Sequence, residues 1–171
     1  MKKWERMAAA GGIEAVVEAM KAHLSNPDVQ HQGCGALGNI AVNADNNVLV
    51  AKAGGIGAVV EAMKAHPSIA DVQHRGCGAL MSIAGNADNE VLVARAGGIE
   101  AVVGAMKAHP SNADVQWDGL GALVNIGWSS TKICQCIVNA GGKDMVMQAQ
   151  SLHHSHSGVQ EKCKELLQKL M

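Results

Sequence analysis

A few residues in this chain have the type and spacing to do chemistry. His153, His154 and His156, with Cys163 downstream, offer imidazole and thiolate groups of the kind that ligate zinc. The His-His-x-His run sits in a polar loop with no second matched pair, so it is incomplete as a structural zinc motif. Metal binding through this loop stands third among the readings of the chain. Cys134-x-Cys136 lacks the Cys-x-x-Cys spacing of a redox loop, and alternate residues of a helix face apart. Asn39, Asn125, Trp117 and Trp128 suit recognition instead. A carboxamide both donates and accepts, and an indole adds a large flat surface with one N–H donor. No Ser/His/Asp arrangement, phosphate loop or carboxylate pair on an apolar face is found. The expectation is a non-catalytic protein with no cofactor and no metal.

The elements that must position these residues are repeats. The stretch from Gly12 to Gly54 returns almost unchanged from Gly55 to Gly97, a shift of 43 residues. It returns from Gly98 to Gly141 with one residue inserted, and a degenerate fourth copy runs from 142 to 171. Residues 1–11 match the end of a unit and form an N-terminal partial repeat, with Trp4 and Met7 at the open end of the stack. Self-similarity at a period of about 40–47 residues marks stacked helical units in one continuous domain.

Composition agrees. Hydrophobic residues make up 48% of the 171-residue chain but aromatics only 2%, so the core is Ala, Val, Ile, Leu and Met, which suits close helix packing. The net charge is −1 with signs interspersed, giving neither a basic stripe for nucleic acid nor a polybasic membrane anchor. The charged start, Met-Lys-Lys-Trp-Glu-Arg, has no apolar run behind it and does not read as a signal peptide. Cys34 and Cys77 are repeat equivalents about a layer apart, roughly 10 Å, too far for a disulfide. They read as reduced hydrophobes in an intracellular, cytoplasmic protein.

Each unit reads as three helices. A short first helix spans 46–53, with counterparts at 89–96 and 133–140, and a Gly-Gly pair ends it where a left-handed corner is needed. These pairs follow helices rather than strands, so they are corners and not dinucleotide fingerprints. The second helix, 13–22, carries Ile13, Val16, Val17 and Met20 on one stripe. His23, His66, His109 and His153 recur at its end, where an imidazole could bond the last carbonyls of its own helix. Asp28, Asp71 and Asp114 are expected to cap third helices starting at Val29, Val72 and Val115. The inward residues of the first of these are Val29, Gly33, Leu37 and Ile40, helped by Cys34 and Ala36. Glycines at 33, 35 and 38 cost about 1 kcal/mol each against Ala in a helix, so they mark close backbone approach or an open surface.

The Gly-Gly-Ile corner and Gly35-Ala-Leu-Gly-Asn-Ile-Ala41, recurring in register with three helices per unit, resemble armadillo repeats. HEAT repeats, which lack the short first helix, fit less well. The resemblance covers essentially the whole chain. It implies an all-α, right-handed solenoid whose concave groove, lined by third helices, binds protein segments. In peptide-binding members an Asn on each third helix holds the ligand backbone. That position here is Asn39, Ser82 and Asn125. The importin Trp position is Gly35, Gly78 and Gly121, so the importin mode is not supported.

One face of each third helix follows: His31, Gly35, Asn39, Val42; His74, Gly78, Ser82, Gly85; Trp117, Gly121, Asn125, Trp128. It reads as a smooth glycine floor edged by polar groups. Trp117 and Trp128 either anchor a partner or close the core near the degenerate unit. Gln32, Arg75 and Asp118 lie beside this face as partner-reading or merely solvated positions. The expected function is protein or peptide binding along this face. The alternative is a scaffold subunit stacking through its ends as a homo-oligomer.

Overall fold

The computed structural model describes residues 11–171, so Trp4, Met7 and nearly all of the partial repeat lie outside the described residues. In chain order come α1 (Gly12–Ala22), α2 (Pro27–Ala41), α3 (Ala44–Lys52), α4 (Gly55–Ala65), α5 (Ala70–Ile83) and α6 (Ala87–Arg95). They are followed by α7 (Gly98–Ala108), α8 (Ala113–Ile126), α9 (Thr131–Asn139), α10 (Gly142–Leu152) and α11 (Ser157–Leu170). No strand occurs among the described residues. The third helices α2, α5, α8 and α11 pack successively into one row, and the second helices α1, α4, α7 and α10 form a row behind them.

The corners are as the glycine pairs require. Gly11, Gly54, Gly97 and Gly141 have φ of +75°, +84°, +84° and +90°, the left-handed region that a Cβ disfavours. The helix starts differ from the sequence expectation. Asn43, Asn86 and Ser130, not residues further on, cap the short helices, which therefore begin two residues earlier than expected. Asn26 and Asn112 likewise cap α2 and α8 by accepting two backbone N–H groups each, while Ile69 precedes α5 without a side-chain cap. Asp28, Asp71 and Asp114 are not the caps. They sit in the first turn, where a carboxylate complements the helix dipole.

The histidine expectation is also corrected. His66 Nε2 lies 2.7 Å from the Leu24 carbonyl oxygen, His109 2.8 Å from that of Pro67, and His153 2.8 Å from that of Pro110. Each imidazole reaches back to the loop of the preceding repeat instead of bonding its own helix. The carbonyls of the second helix are bound by glutamines that the sequence reading passed over. Gln30, Gln73, Gln116 and Gln160 each donate from Nε2 to two carbonyls, those of Met20 and His23 in the first unit and their equivalents thereafter. In each unit the first of the two is among the last four carbonyls that a helix leaves unsatisfied, and the second also accepts a backbone N–H of the loop. The signal was present: Gln at one fixed place in all four copies, in line with inward residues.

The core is continuous through all layers. Gly33, Cys34, Leu37 and Ile40 are buried as expected, and Met20 fills the space that a Cβ on Gly33 would take. A Cβ on Gly38 would lie 3.1 Å from the Ala79 Cα, so that glycine does mark close backbone approach. Val29 is only half-buried because α2 belongs to the first described layer, whereas its equivalents Val72 and Val115 are fully buried.

Candidate functional site

The row of third helices brings six of the expected residues together. Gly35, Asn39, His74, Arg75, Ser82 and Asp118 line one groove of about 240 Å³ between α2 and α5, with α8 at its edge. Val42 and Gly78, from the same expected face, line it too, and Cys34, Gly38, Ala79 and Met81 complete its walls. Asn39 is exposed on α2 and Ser82 half-buried on α5, and neither side chain has a hydrogen-bond partner among the described residues.

The glycine floor is not bare. Residues of an adjacent repeat lie over it, which corrects the sequence reading. The Arg75 stem crosses α2 so that its Cδ is 3.6 Å from where a Gly35 Cβ would be. Asp118 does the same one layer on, with Oδ2 3.0 Å from the equivalent point on Gly78. Met81 covers Gly121, which is buried. Glycine makes room for the neighbouring layer's side chain at Gly121 and, more narrowly, at Gly78, whereas a Cβ at Gly35 would make only an ordinary contact with Arg75.

Asp118 is consequently no solvated position. It is 6% exposed, and its Oδ2 lies 2.9 Å from His74 Nδ1. Burial pushes its carboxyl up from 3.8 to about 6. The His74 imidazole and the Arg75 guanidinium oppose that rise, and Asp114 adds to it. Arg75, by contrast, is exposed and makes no ion pair among the described residues.

The remaining expected residues lie elsewhere. Asn125 and Trp128 line a second hollow of about 470 Å³ with Asn86, Glu90 and Ser129. Asn125 is already engaged, donating from Nδ2 to the Met81 carbonyl at 2.9 Å. Trp128 is 59% exposed, with Lys169 Nζ 3.9 Å from its ring centroid and 3.1 Å from its carbonyl oxygen. Trp117 is 38% exposed and borders Gly158 at the start of α11. Neither indole belongs to the core. His31 is half-buried on α2, and Gln32 belongs to an apolar hollow at the first layer.

The sequence reading also missed Glu90. It is buried, and its Oε2 accepts from Ser129 N and Oγ at 3.0 and 2.7 Å. One layer earlier Asn47, at the place of Glu90, accepts at Oδ1 from Nδ2 of the helix cap Asn86 at 2.7 Å. Both partners differ between the layers, and the inter-repeat link is kept.

No set of three His, Cys, Asp or Glu residues converges as a metal site among the described residues. His153 is bonded to Pro110, His156 Nδ1 accepts from Val159 N, and Cys163 is buried against the Val146 carbonyl. Two of the three loop histidines are thus used in structure, and His154 is exposed. Burial pushes the Cys34 thiol up to about 12 and Cys163 to about 11, so both stay protonated. No described helix is long and apolar enough to cross a membrane.

No protein-family model matches the chain, and no curated protein does. Solved structures do. An engineered protein from a structural-genomics consortium aligns at TM-score 0.83 and 25% identity over 98% of this chain, which spans only 39% of that protein. A designed armadillo repeat protein aligns at TM-score 0.86 and 19% identity, over 98% of this chain and 68% of its own. Another, solved in complex with the peptide (KR)4, aligns at 0.83 and 19% over the same shares. Three helices per layer, glycine corners and these likenesses together establish an armadillo-type repeat fold, an all-α right-handed solenoid.

Proposed function

We propose that this chain is a non-catalytic binding module that holds an extended protein segment along its row of third helices. One observation carries the reading. Six residues from three successive repeats meet in a single open groove, where Asn39 and Ser82 present polar groups not used by the fold. A layered stack holds such groups at fixed spacing before any ligand arrives, which lowers the ordering cost of binding. A designed protein of this fold has been solved with a peptide, which supports the reading by analogy of fold. The buried reduced thiols support an intracellular, cytoplasmic setting.

A peptide array probed with the parent chain, the Asn39→Ala/Ser82→Ala variant and the Trp117→Ala/Trp128→Ala variant tests this. Peptides that bind the parent should lose affinity on the first variant, with circular dichroism unchanged. Equal binding by parent and first variant would remove the groove from the mechanism. Loss confined to the Trp variant would move the site to the last layers.

A second reading, self-association through the first layer, rests on a different observation. Val16, Ala19, Val29 and Ala36 line an apolar hollow of about 500 Å³ and are at least partly exposed. Their equivalents Val59, Ala62, Val72 and Ala79 are at most 1% exposed. Light scattering over a concentration series decides it, since a constant monomer mass excludes this interface.

A further inference from the structure

The charges in the groove are not balanced toward solvent. The single carboxylate lining it, Asp118, is buried and turned onto His74. The single permanent cation, Arg75, is exposed and has no ion-pair partner among the described residues. Its stem runs over Gly35, where a Cβ would meet its Cδ at 3.6 Å. A guanidinium forms charge-assisted, bidentate bonds to a planar anion such as a carboxylate. Beside it, Asn39 and Ser82 add an amide and a hydroxyl without partners of their own, both able to donate. The groove therefore presents one cation without a contact ion pair and two neutral donors, and its acid is buried in the wall against His74.

We propose that the α2/α5 groove is a subsite for a carboxylate side chain, Asp or Glu, of the bound protein segment. Arg75 is its charge partner, and Asn39 and Ser82 are its neutral donors. This rests on the peptide-binding reading above and gives that site its ligand chemistry. Asp118 is a positioning residue: it holds the His74 ring in the groove wall and does not itself meet the ligand. A cationic side chain at the same place would meet Arg75 with no solvent-facing acid to compensate.

The test uses fluorescence anisotropy with three labelled eight-residue peptides of alternating Glu-Ser, Lys-Ser and Ala-Ser. They are titrated against the full chain and its Arg75→Lys, Arg75→Ala and Arg75→Glu variants, each checked for fold by circular dichroism. The Glu-Ser peptide should bind the parent at least about tenfold more tightly than the Ala-Ser peptide, a gap of about 1.4 kcal/mol. That preference should shrink in Arg75→Lys, vanish in Arg75→Ala and reverse toward Lys-Ser in Arg75→Glu. Equal binding of Glu-Ser and Ala-Ser, or a preference that survives Arg75→Glu, overturns the proposal. Tighter binding of Lys-Ser by the parent also overturns it while leaving the peptide-binding groove intact. If none of the three peptides binds, the carboxylate subsite is overturned, and the array alone then decides the broader reading.

Discussion

Asp118 Oδ2 and His74 Nδ1, on successive third helices, stand 2.9 Å apart with the carboxylate almost wholly removed from solvent. A carboxyl whose value rises from 3.8 to about 6 on folding binds its proton more tightly in the native state. Its contribution to stability is therefore full below about 4 and is lost as pH climbs to about 6. Asp118→Asn keeps the shape and removes the titration. In urea melts, the variant's stability relative to the parent should increase across that interval and level off above it. A constant difference would mean that the carboxyl titrates normally.

The glutamine caps predict a buried-polar penalty. Gln73→Leu leaves the Met63 carbonyl without its side-chain donor in a closed part of the core, and leaves the His66 carbonyl with the Ile69 N–H alone. The cost should be about 2–3 kcal/mol in equilibrium unfolding. Gln160→Leu, in the half-buried last layer, should cost less. Equal losses at the two sites would contradict this account.

The inter-repeat histidine bonds can be weighed against an internal control. His109→Ala removes the bond to the Pro67 carbonyl and should cost about 1 kcal/mol. His23 is exposed and makes no such bond among the described residues. His23→Ala should then fall within about 0.5 kcal/mol of the parent. Thermal unfolding of the two variants side by side gives the comparison.

Glycines of two kinds should respond with opposite signs. Gly104 is exposed in the interior of α7, a Cβ there would meet nothing within 4 Å, and its repeat equivalents are Glu18 and Glu61. Gly104→Ala should stabilise by about 0.5–1 kcal/mol. Gly38→Val pushes α2 off the Ala79 backbone and should destabilise by about 1–3 kcal/mol. Chemical denaturation of both variants checks the signs.

The period made the layers, corners and helix faces legible, because hydrophobic spacing and paired glycines are local and repeat in register. Helix starts were misread because Asn26 and Asp28 both have capping side chains, and only the backbone shows which one stands outside the first turn. The groove was legible as a face but not as a surface. Nothing local says that Arg75 will lie on Gly35, or that Asp118 will be buried over Gly78, since those contacts join positions about 40 residues apart. His66, Gln30 and Glu90 escaped for the same reason. Their partners are backbone atoms or side chains of another helix, and helix periodicity does not encode them.

The histidine links carry a consequence for how such a chain can change length. His66 meets Leu24, His109 meets Pro67 and His153 meets Pro110, each a residue at the same place one unit back. Excision of residues 55–97 would hand the Leu24 carbonyl from His66 to His109 and bring Asp118 above Gly35 in place of Arg75. A cut that is not a whole number of units would leave these groups facing the wrong atoms. The molecule can thus grow or shrink only in whole steps, and each step would also exchange which charge lies over the glycine below it.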